Sequence, residues 1–216
     1  MANYKTLDSW SIKAKKEGYP ARSVYKLQEI DEKFSVLKCG GYRSAPAASA
    51  AAAAQMKVLD LGCAPGSWSI FVLRKLAASV FLAACDLSAI DNEVAKAAFD
   101  DGNVFFLQGD MDKPENRAAL CEKGPYHVVL CDAAPATTGN RFVDTECSLN
   151  LALSSLSYAQ TSLVKGGAWV TKFFQGSSSA SFLKSAAKEF KKFQTFKPKA
   201  CRPNSFETYA VGIGKL

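Results

Sequence analysis

The stretch MKVLDLGCAPGSWSIFVLRKLAASVFLAACDL, from Met56 to Leu87, decides the fold. It opens on MKVLDLG, a short and almost wholly apolar run that ends in an acid and a glycine. Such continuity, without polar alternation, fits a strand buried on both faces. SWSIFVLRKL then reads as a helix, and SVFLAACDL as a second strand with the same acidic ending. Strand, glycine loop, helix and strand together form the βαβ unit of a parallel sheet.

The alternation continues toward the carboxyl end. NVFFLQGDM, HVVLCDAAP, GGAWVTKFFQG and FETYAVGIG read as strands. Helical stretches separate them near Arg117 to Lys123, over Leu149 to Val164, and over ASFLKSAAKEFKKF, Ala180 to Phe193. The expectation is an α/β fold with a mostly parallel sheet and helices on both faces. Upstream, Val24, Leu27, Ile30, Phe34 and Leu37 recur at helical steps and predict an amphipathic helix from Ser23 to Lys38, ended by Gly40 and Gly41. Ser44 to Gln55, SAPAASAAAAAQ, is low in complexity, and reads either as a connector or as a marginal helix. The reading is therefore a basic helical segment over 1–43, an Ala-rich insert over 44–55 and a catalytic domain over 56–216, all in a single folded unit.

Charge is unevenly placed along the chain. The net charge is +7, yet residues 1–43 carry +4, residues 184–216 carry +6, and the middle carries −3. Basic ends around a mildly acidic body suit a phosphate backbone. Seven cysteines without a CxxC pair argue against a disulfide framework and a zinc site, and fit reduced thiols in a cytoplasmic protein. No apolar run is long enough to span a bilayer, so no membrane is expected, and with no CxxC pair no metal is expected either.

In open α/β sheets the ligand lies beyond the carboxyl ends of the strands. Asp60, Asp86, Asp110, Asp132 and Lys172 all fall at or near those ends. Gly62 and Gly66 permit a tight turn and close approach to a ligand. Their spacing lacks the middle glycine of the dinucleotide fingerprint, which disfavours a pyrophosphate cofactor. An acid ending the second strand suits ribose hydroxyls, and one ending the third suits an adenine amino group. His127, the only histidine, opens a strand and reads as structural; Cys131 reads as a small core residue.

Taken in order, KAKKEGYPARSVYKLQEID, VLDLGCAPGSWS, ACDL, FLQGD, CDAAPATTG, GGAWVTKFFQG and KPKACRPNSFETY resemble the FtsJ/RrmJ family of ribosomal RNA 2′-O-methyltransferases over nearly the whole chain. The resemblance implies a Rossmann-like, seven-stranded methyltransferase fold that uses S-adenosyl-L-methionine and releases S-adenosyl-L-homocysteine. It implies methyl transfer to a ribose 2′-hydroxyl, with a uridine of the 23S rRNA A-loop in the large ribosomal subunit as the target and a monomer as the working form. The family's Lys-Asp-Lys-Glu tetrad falls on Lys26, Asp132, Lys172 and Glu207. Its cofactor contacts fall on Gly66, Trp68, Asp86, Asp110 and Asp132, with Gly62, Cys63, Ala64, Pro65, Leu87 and Met111 completing the set. Ser67 and Cys63 depart from the family's glycine and alanine, and the Ala-rich insert is longer than its usual turn. A transfer RNA anticodon-loop or messenger cap 2′-O-methyltransferase, and a non-catalytic ribosome-assembly factor, are the competing expectations.

The chemistry needs a hydroxyl made nucleophilic and aimed in line. A lysine can accept its proton only when neutral, a shift of roughly three units or about 4 kcal/mol from the free side chain. Lys172 is thus read either as a base or as a cation that orients the hydroxyl. Tyr19, Arg22, Lys13, Lys15, Lys16, Lys197, Lys199 and Arg202 are the candidate phosphate contacts.

Overall fold

The computed structural model describes residues 8–38 and 55–216. Seven strands, β1 (Met56–Leu61), β2 (Val80–Asp86), β3 (Val104–Gln108), β4 (Tyr126–Cys131), β5 (Leu163–Phe174), β6 (Phe190–Phe196) and β7 (Glu207–Lys215), join in one sheet in the order β3-β2-β1-β4-β5-β7-β6. Strands β1 to β5 pair in parallel, and β7 runs antiparallel to both β5 and β6. The chain moves outward from β1 through β3, then returns to place β4 beside β1. That reversal opens a crevice at the carboxyl ends of β1 and β4.

Helices α1 (Ser9–Lys16), α2 (Val24–Phe34), α3 (Ser67–Leu76), α4 (Glu93–Phe99), α5 (Pro114–Lys123), α6 (Arg141–Ser162) and α7 (Ser179–Ala187) complete the fold. Two apolar cores flank the sheet. One joins Val24, Leu27 and Ile30 of α2 and Ile70 of α3 to Val58, Val128, Val170 and Val211. The other joins Leu120 of α5, Leu149 and Leu156 of α6 and Phe182 of α7 to Leu59, Val129 and Trp169. Side chains alternate between faces along a strand, so residues of even number on β5 share the face of Ala168 and Val170, toward α2 and α3. Lys172 lies on that face.

The expected α/β fold is present, with three differences of extent. The helix expected over Ala180 to Phe193 stops at Ala187, and Phe190–Phe196 is the seventh strand. Phe190, Phe193 and Phe196 repeat at a helical spacing, yet Phe190 stacks on Trp169 with ring centroids 5.7 Å apart, and Phe196 meets Phe34 edge-on at 5.6 Å. Packing against preexisting cores overrides local periodicity here. The exposed Lys191 and Lys192 protect this sheet edge from pairing with another chain. The amphipathic helix ends at Phe34, because Ser35 turns left-handed (φ 54°) and the Asp31 carboxylate accepts the Leu37 N–H at 2.8 Å. The expected stop at Gly40 and Gly41, and the Ala-rich insert apart from Gln55, lie outside the described residues. The helix expected from Leu149 instead begins at Arg141, where the Asn140 side chain caps the Phe142 and Val143 amides.

One buried acid stands out. Asp60 is fully enclosed; its Oδ2 accepts the Ser69 hydroxyl at 2.6 Å, and its Oδ1 has no hydrogen-bond partner among the described residues. Burial, joined by the nearby carboxylates of Asp132 and Asp86 and opposed by the Ser69 hydrogen bond, pushes its pKa up to about 7. Between about pH 4 and pH 7 the folded chain then holds a proton that the unfolded chain releases, so stability falls as pH rises through that window. Asp60→Asn is expected to flatten that part of the stability profile, by up to about 4 kcal/mol at pH 8, read by urea unfolding at a series of pH values. Gly212→Ala is expected to cost about 1–3 kcal/mol, seen as a lowered Tm, because a Cβ there would lie 2.5 Å from the Phe190 ring.

Candidate active site

The loop after β1 and the loop after β4 meet where the strand order reverses. A Cβ on Gly62 (φ 70°) would lie 2.5 Å from the Ala133 Cα, so only glycine lets the two backbones approach. Gly66 (φ 101°) caps α3, and a Cβ there would lie 2.7 Å from the Ala95 Cβ. Asp86, ending β2, fixes this loop by accepting the Ala64 N–H at 2.9 Å and the Ser88 N–H at 2.8 Å. Asp110 follows β3 and accepts the Asp112 N–H at 2.9 Å.

These loops enclose a cavity of about 300 Å³ lined by Gly62, Ala64, Cys85, Asp86, Leu87, Gly109, Asp110, Met111, Asp132, Ala133, Ala134 and Leu151. Of the sequence-predicted cofactor set, Gly62, Ala64, Asp86, Leu87, Asp110, Met111 and Asp132 line it. Cys63, Pro65, Gly66 and Trp68 are not among its walls. Trp68 is buried behind the loop, where its Nε1–H donates to the Ser23 carbonyl at 2.8 Å and its ring lies 5.8 Å from that of Tyr209. Cys85, Gly109, Ala133, Ala134 and Leu151 are walls that motif reading did not single out.

Four charged side chains from four parts of the chain converge beside this cavity. Lys26 Nζ meets Glu207 Oε1 at 2.7 Å, and Lys172 Nζ meets Asp132 Oδ1 at 3.2 Å. Lys172 also donates to the Asp132 carbonyl at 2.5 Å. Register explains the meeting: Lys172 on β5 pairs with Tyr209 on β7, which puts Glu207, two residues before Tyr209, on the same face of β7. The Tyr209 hydroxyl donates to Asp132 Oδ1 at 2.7 Å, and Lys26 Nζ sits 6.0 Å from its ring centroid. Tyr209 was not singled out from sequence, although the alternation on β7 is the signal that finds it.

Charge settles the ionisation of three of these groups. Burial pushes Asp132 up, but the Lys172 and Lys26 ammoniums and the Tyr209 and Lys172 hydrogen bonds outweigh it and hold its carboxylate below the ordinary range. Burial pushes Lys26 down, but Asp132 and Glu207 outweigh it and raise its ammonium above the usual lysine value. Tyr209 is raised well above an ordinary phenol by burial and by the same two carboxylates, so it remains a donor.

Helix α2 delivers Lys26 because it is bolted on both sides. Ser67 Oγ accepts the Ala21 N–H at 2.8 Å and donates back to the Ala21 carbonyl at 3.2 Å. The Glu29 carboxylate accepts the Lys199 and Ala200 amides, both at 2.8 Å, and Arg22 donates to the Ala200 carbonyl. A second cavity, about 780 Å³, opens on this side and is lined by Asp8, Ala21, Arg22, Ser23, Lys26, Arg202, Pro203, Asn204, Ser205 and Glu207. The cluster thus touches both cavities, with Asp132 in the wall of one and Lys26 and Glu207 in the wall of the other.

His127 lies apart, accepting the Lys57 N–H at 2.9 Å through Nδ1. Among the described residues no group of three or more His, Cys, Asp or Glu is placed to hold a metal ion, and no helix is long and apolar enough to cross a membrane.

Known proteins resemble this chain in sequence and fold. The family described as FtsJ-like methyltransferase matches residues 19–215. A protein named ribosomal RNA large subunit methyltransferase E from Treponema denticola is 44% identical over 210 residues, covering 97% of this chain and 96% of its own. One of the same name from Borreliella afzelii is 40% identical, covering 95% of this chain and 96% of its own. A crystal structure described as a ribosomal RNA methyltransferase of Plasmodium falciparum superposes with a TM-score of 0.71 at 25% identity, covering 92% of this chain and 99% of that one. With its fold, its glycine loop and the match over residues 19–215, the chain belongs to the FtsJ-like methyltransferase family.

Proposed function

We propose that this methyltransferase transfers the methyl group of S-adenosyl-L-methionine to a ribose 2′-hydroxyl of RNA, with a uridine of 23S rRNA in the large ribosomal subunit as its target and the cytoplasm as its place of work. One observation carries the reading. A cluster of two lysines and two carboxylates stands between an acid-lined cavity and a cavity edged by Arg22 and Arg202. A methyl donor on one side and a phosphate-bearing acceptor on the other would meet at that wall. The names and near full-length identity of the Treponema denticola and Borreliella afzelii relatives support a large-subunit rRNA target over transfer RNA or messenger caps.

The donor cavity fits this cofactor by its chemistry. Asp86 and Asp110 end adjacent strands, as suits ribose hydroxyls and an adenine amino group, beside the apolar Leu87, Met111 and Leu151. No lysine or arginine lines it, which suits a cationic sulfonium better than a pyrophosphate. When bound, the cofactor supplies an electrophilic methyl group. Asp132 then holds Lys172 from two directions, through its carboxylate and its carbonyl, so the amine has one orientation left for an incoming hydroxyl. In this reading Lys172 handles the hydroxyl proton. Lys26 and Glu207 fix the ribose on the acceptor side, and Tyr209 holds the Asp132 carboxylate in place. Of the described residues of the basic amino-terminal segment, Asp8, Arg22 and Lys26 edge the acceptor cavity, and in this reading Lys13, Lys15 and Lys16 of α1 meet phosphates.

The test is transfer of labelled methyl to unmodified large subunits, naked rRNA or tRNA, with nuclease-resistant dinucleotides marking 2′-O-methylation. Label in large subunits is expected. Label confined to tRNA would reassign the substrate, and cofactor binding without transfer to any RNA would leave a scaffold protein. Lys172→Ala is expected to lower kcat by about 10²–10⁴ while cofactor Kd, by calorimetry, stays within about twofold. A parallel loss of cofactor binding would make Lys172 a structural residue instead.

A further inference from the structure

A third concavity lies beside the cluster, at the carboxyl end of β5. It measures about 380 Å³ and is lined by Arg141, Phe142, Thr145, Gly176 and Ser177. Its walls are fixed. Buried Asp144 accepts the Thr138 amide, the Thr138 hydroxyl and the Gly139 amide at 2.7, 2.9 and 3.2 Å, which ties the loop leaving Asp132 to the first turn of α6. Ser148 Oγ accepts the Phe174 N–H at 3.1 Å, which ties α6 to the end of β5. Gly176 passes so close to Thr145 that a Cβ there would lie 2.4 Å from the Thr145 methyl.

On this fixed frame one aromatic ring faces water. Phe142 is 66% exposed, whereas the other large aromatics among the described residues are mostly packed. Next to it the Arg141 guanidinium lies 5.3 Å from the centroid of the Phe206 ring. Phe206 in turn packs edge-on against Phe174 at 4.8 Å and directly precedes Glu207. Through Phe206 the concavity's Arg141 lies one residue from Glu207 of the cluster, and its lining holds a cation, an exposed ring and hydroxyls but no carboxylate.

We propose that Arg141 and Phe142 form a stacking subsite for an unpaired nucleobase adjacent, in the RNA, to the nucleotide being methylated. The inference rests on the reading of this enzyme as an RNA methyltransferase and adds a contact that grips a neighbour of the target. Unpaired bases stack on aromatic rings and on guanidinium planes, and a single ring serves any of the four bases. A protein partner suits the site less well, because a lone ring with Val143 beside it is far smaller than the patch such an interface requires. Stacking a neighbouring base would hold the strand while the target ribose turns toward Lys172.

The experiment compares the full-length enzyme with Phe142→Ala and Phe142→Trp in methyl transfer to unmodified large subunits and to a single-stranded rRNA fragment carrying 5-iodouridine. Phe142→Ala is expected to raise KM for both RNAs about tenfold, which corresponds to about 1.4 kcal/mol. Phe142→Trp is expected to return KM to within twofold of the native value, and calorimetric Kd for S-adenosyl-L-methionine is expected to be the same in all three. Irradiation of the iodouridine fragment should crosslink the peptide that contains Phe142. An unaltered KM in Phe142→Ala, a failure of Phe142→Trp to rescue, or a KM effect confined to whole subunits would each overturn the subsite while leaving the methyltransferase reading intact. If the native enzyme methylates no RNA, that reading falls, and the subsite falls with it.

Discussion

Two ammonium groups and two carboxylates lie together almost out of reach of water, with side-chain exposures of 12% and 13% for Lys26 and Glu207 and 7% and 13% for Lys172 and Asp132. An isolated ion in such a place would cost several kcal/mol in lost hydration. Each charge is tolerable only because a partner of opposite sign is within hydrogen-bond reach. That dependence couples distant parts of the chain: α2 must be docked, the crevice between β1 and β4 must be formed, and β7 must be in register with β5. The proposed catalytic arrangement and a condition for folding are here the same set of contacts.

The docking of α2 shows how the requirement is met. Lys26 sits on the helix face that also carries Glu29, and Arg22 precedes that helix. Glu29 and Arg22 fasten the segment around Ala200, while Ser67 and Trp68 fasten Ala21 and Ser23 from the opposite side. Lys75 adds a 2.5 Å ion pair to the buried Asp31. Ser67 is where the family pattern carries glycine. The hydroxyl uses that departure to clamp the amino-terminal segment, and the adjoining backbone keeps its tight turn through Gly66. Positioning of Lys26 thus depends on contacts that have no part in the chemistry themselves.

Much of this was legible in the chain before folding. Apolar runs ending in Asp60, Asp86, Asp110 and Asp132 identify strands whose ends face a ligand, because continuous burial and a terminal polar group mark the carboxyl edge of a parallel sheet. Gly62 and Gly66 mark backbone close approach. The family resemblance brings Lys26, Asp132, Lys172 and Glu207 to one list, and the structure brings them to one place. Phe190–Phe196 was not legible, since its phenylalanines repeat at a helical period and only Trp169 and the open space over Gly212 make it a strand. Tyr209 was passed over because nothing in its local motif separates it from an ordinary strand aromatic.

By itself the sequence determined the layered α/β architecture and the acidic strand ends, because these follow from periodicity and residue chemistry over short spans, while Lys26, Asp132, Lys172 and Glu207 stand together in the chain only through its resemblance to a family. Only the tertiary structure decided which face of β5 and β7 the charged side chains share, that Trp68 bolts a helix and does not line the acid-edged cavity, and that Phe142 stays in water beside Arg141. Those outcomes depend on strand register and on helix docking. Both are set by contacts between residues well apart in the chain, such as Lys172 with Tyr209 and Glu29 with Ala200, which no local pattern encodes.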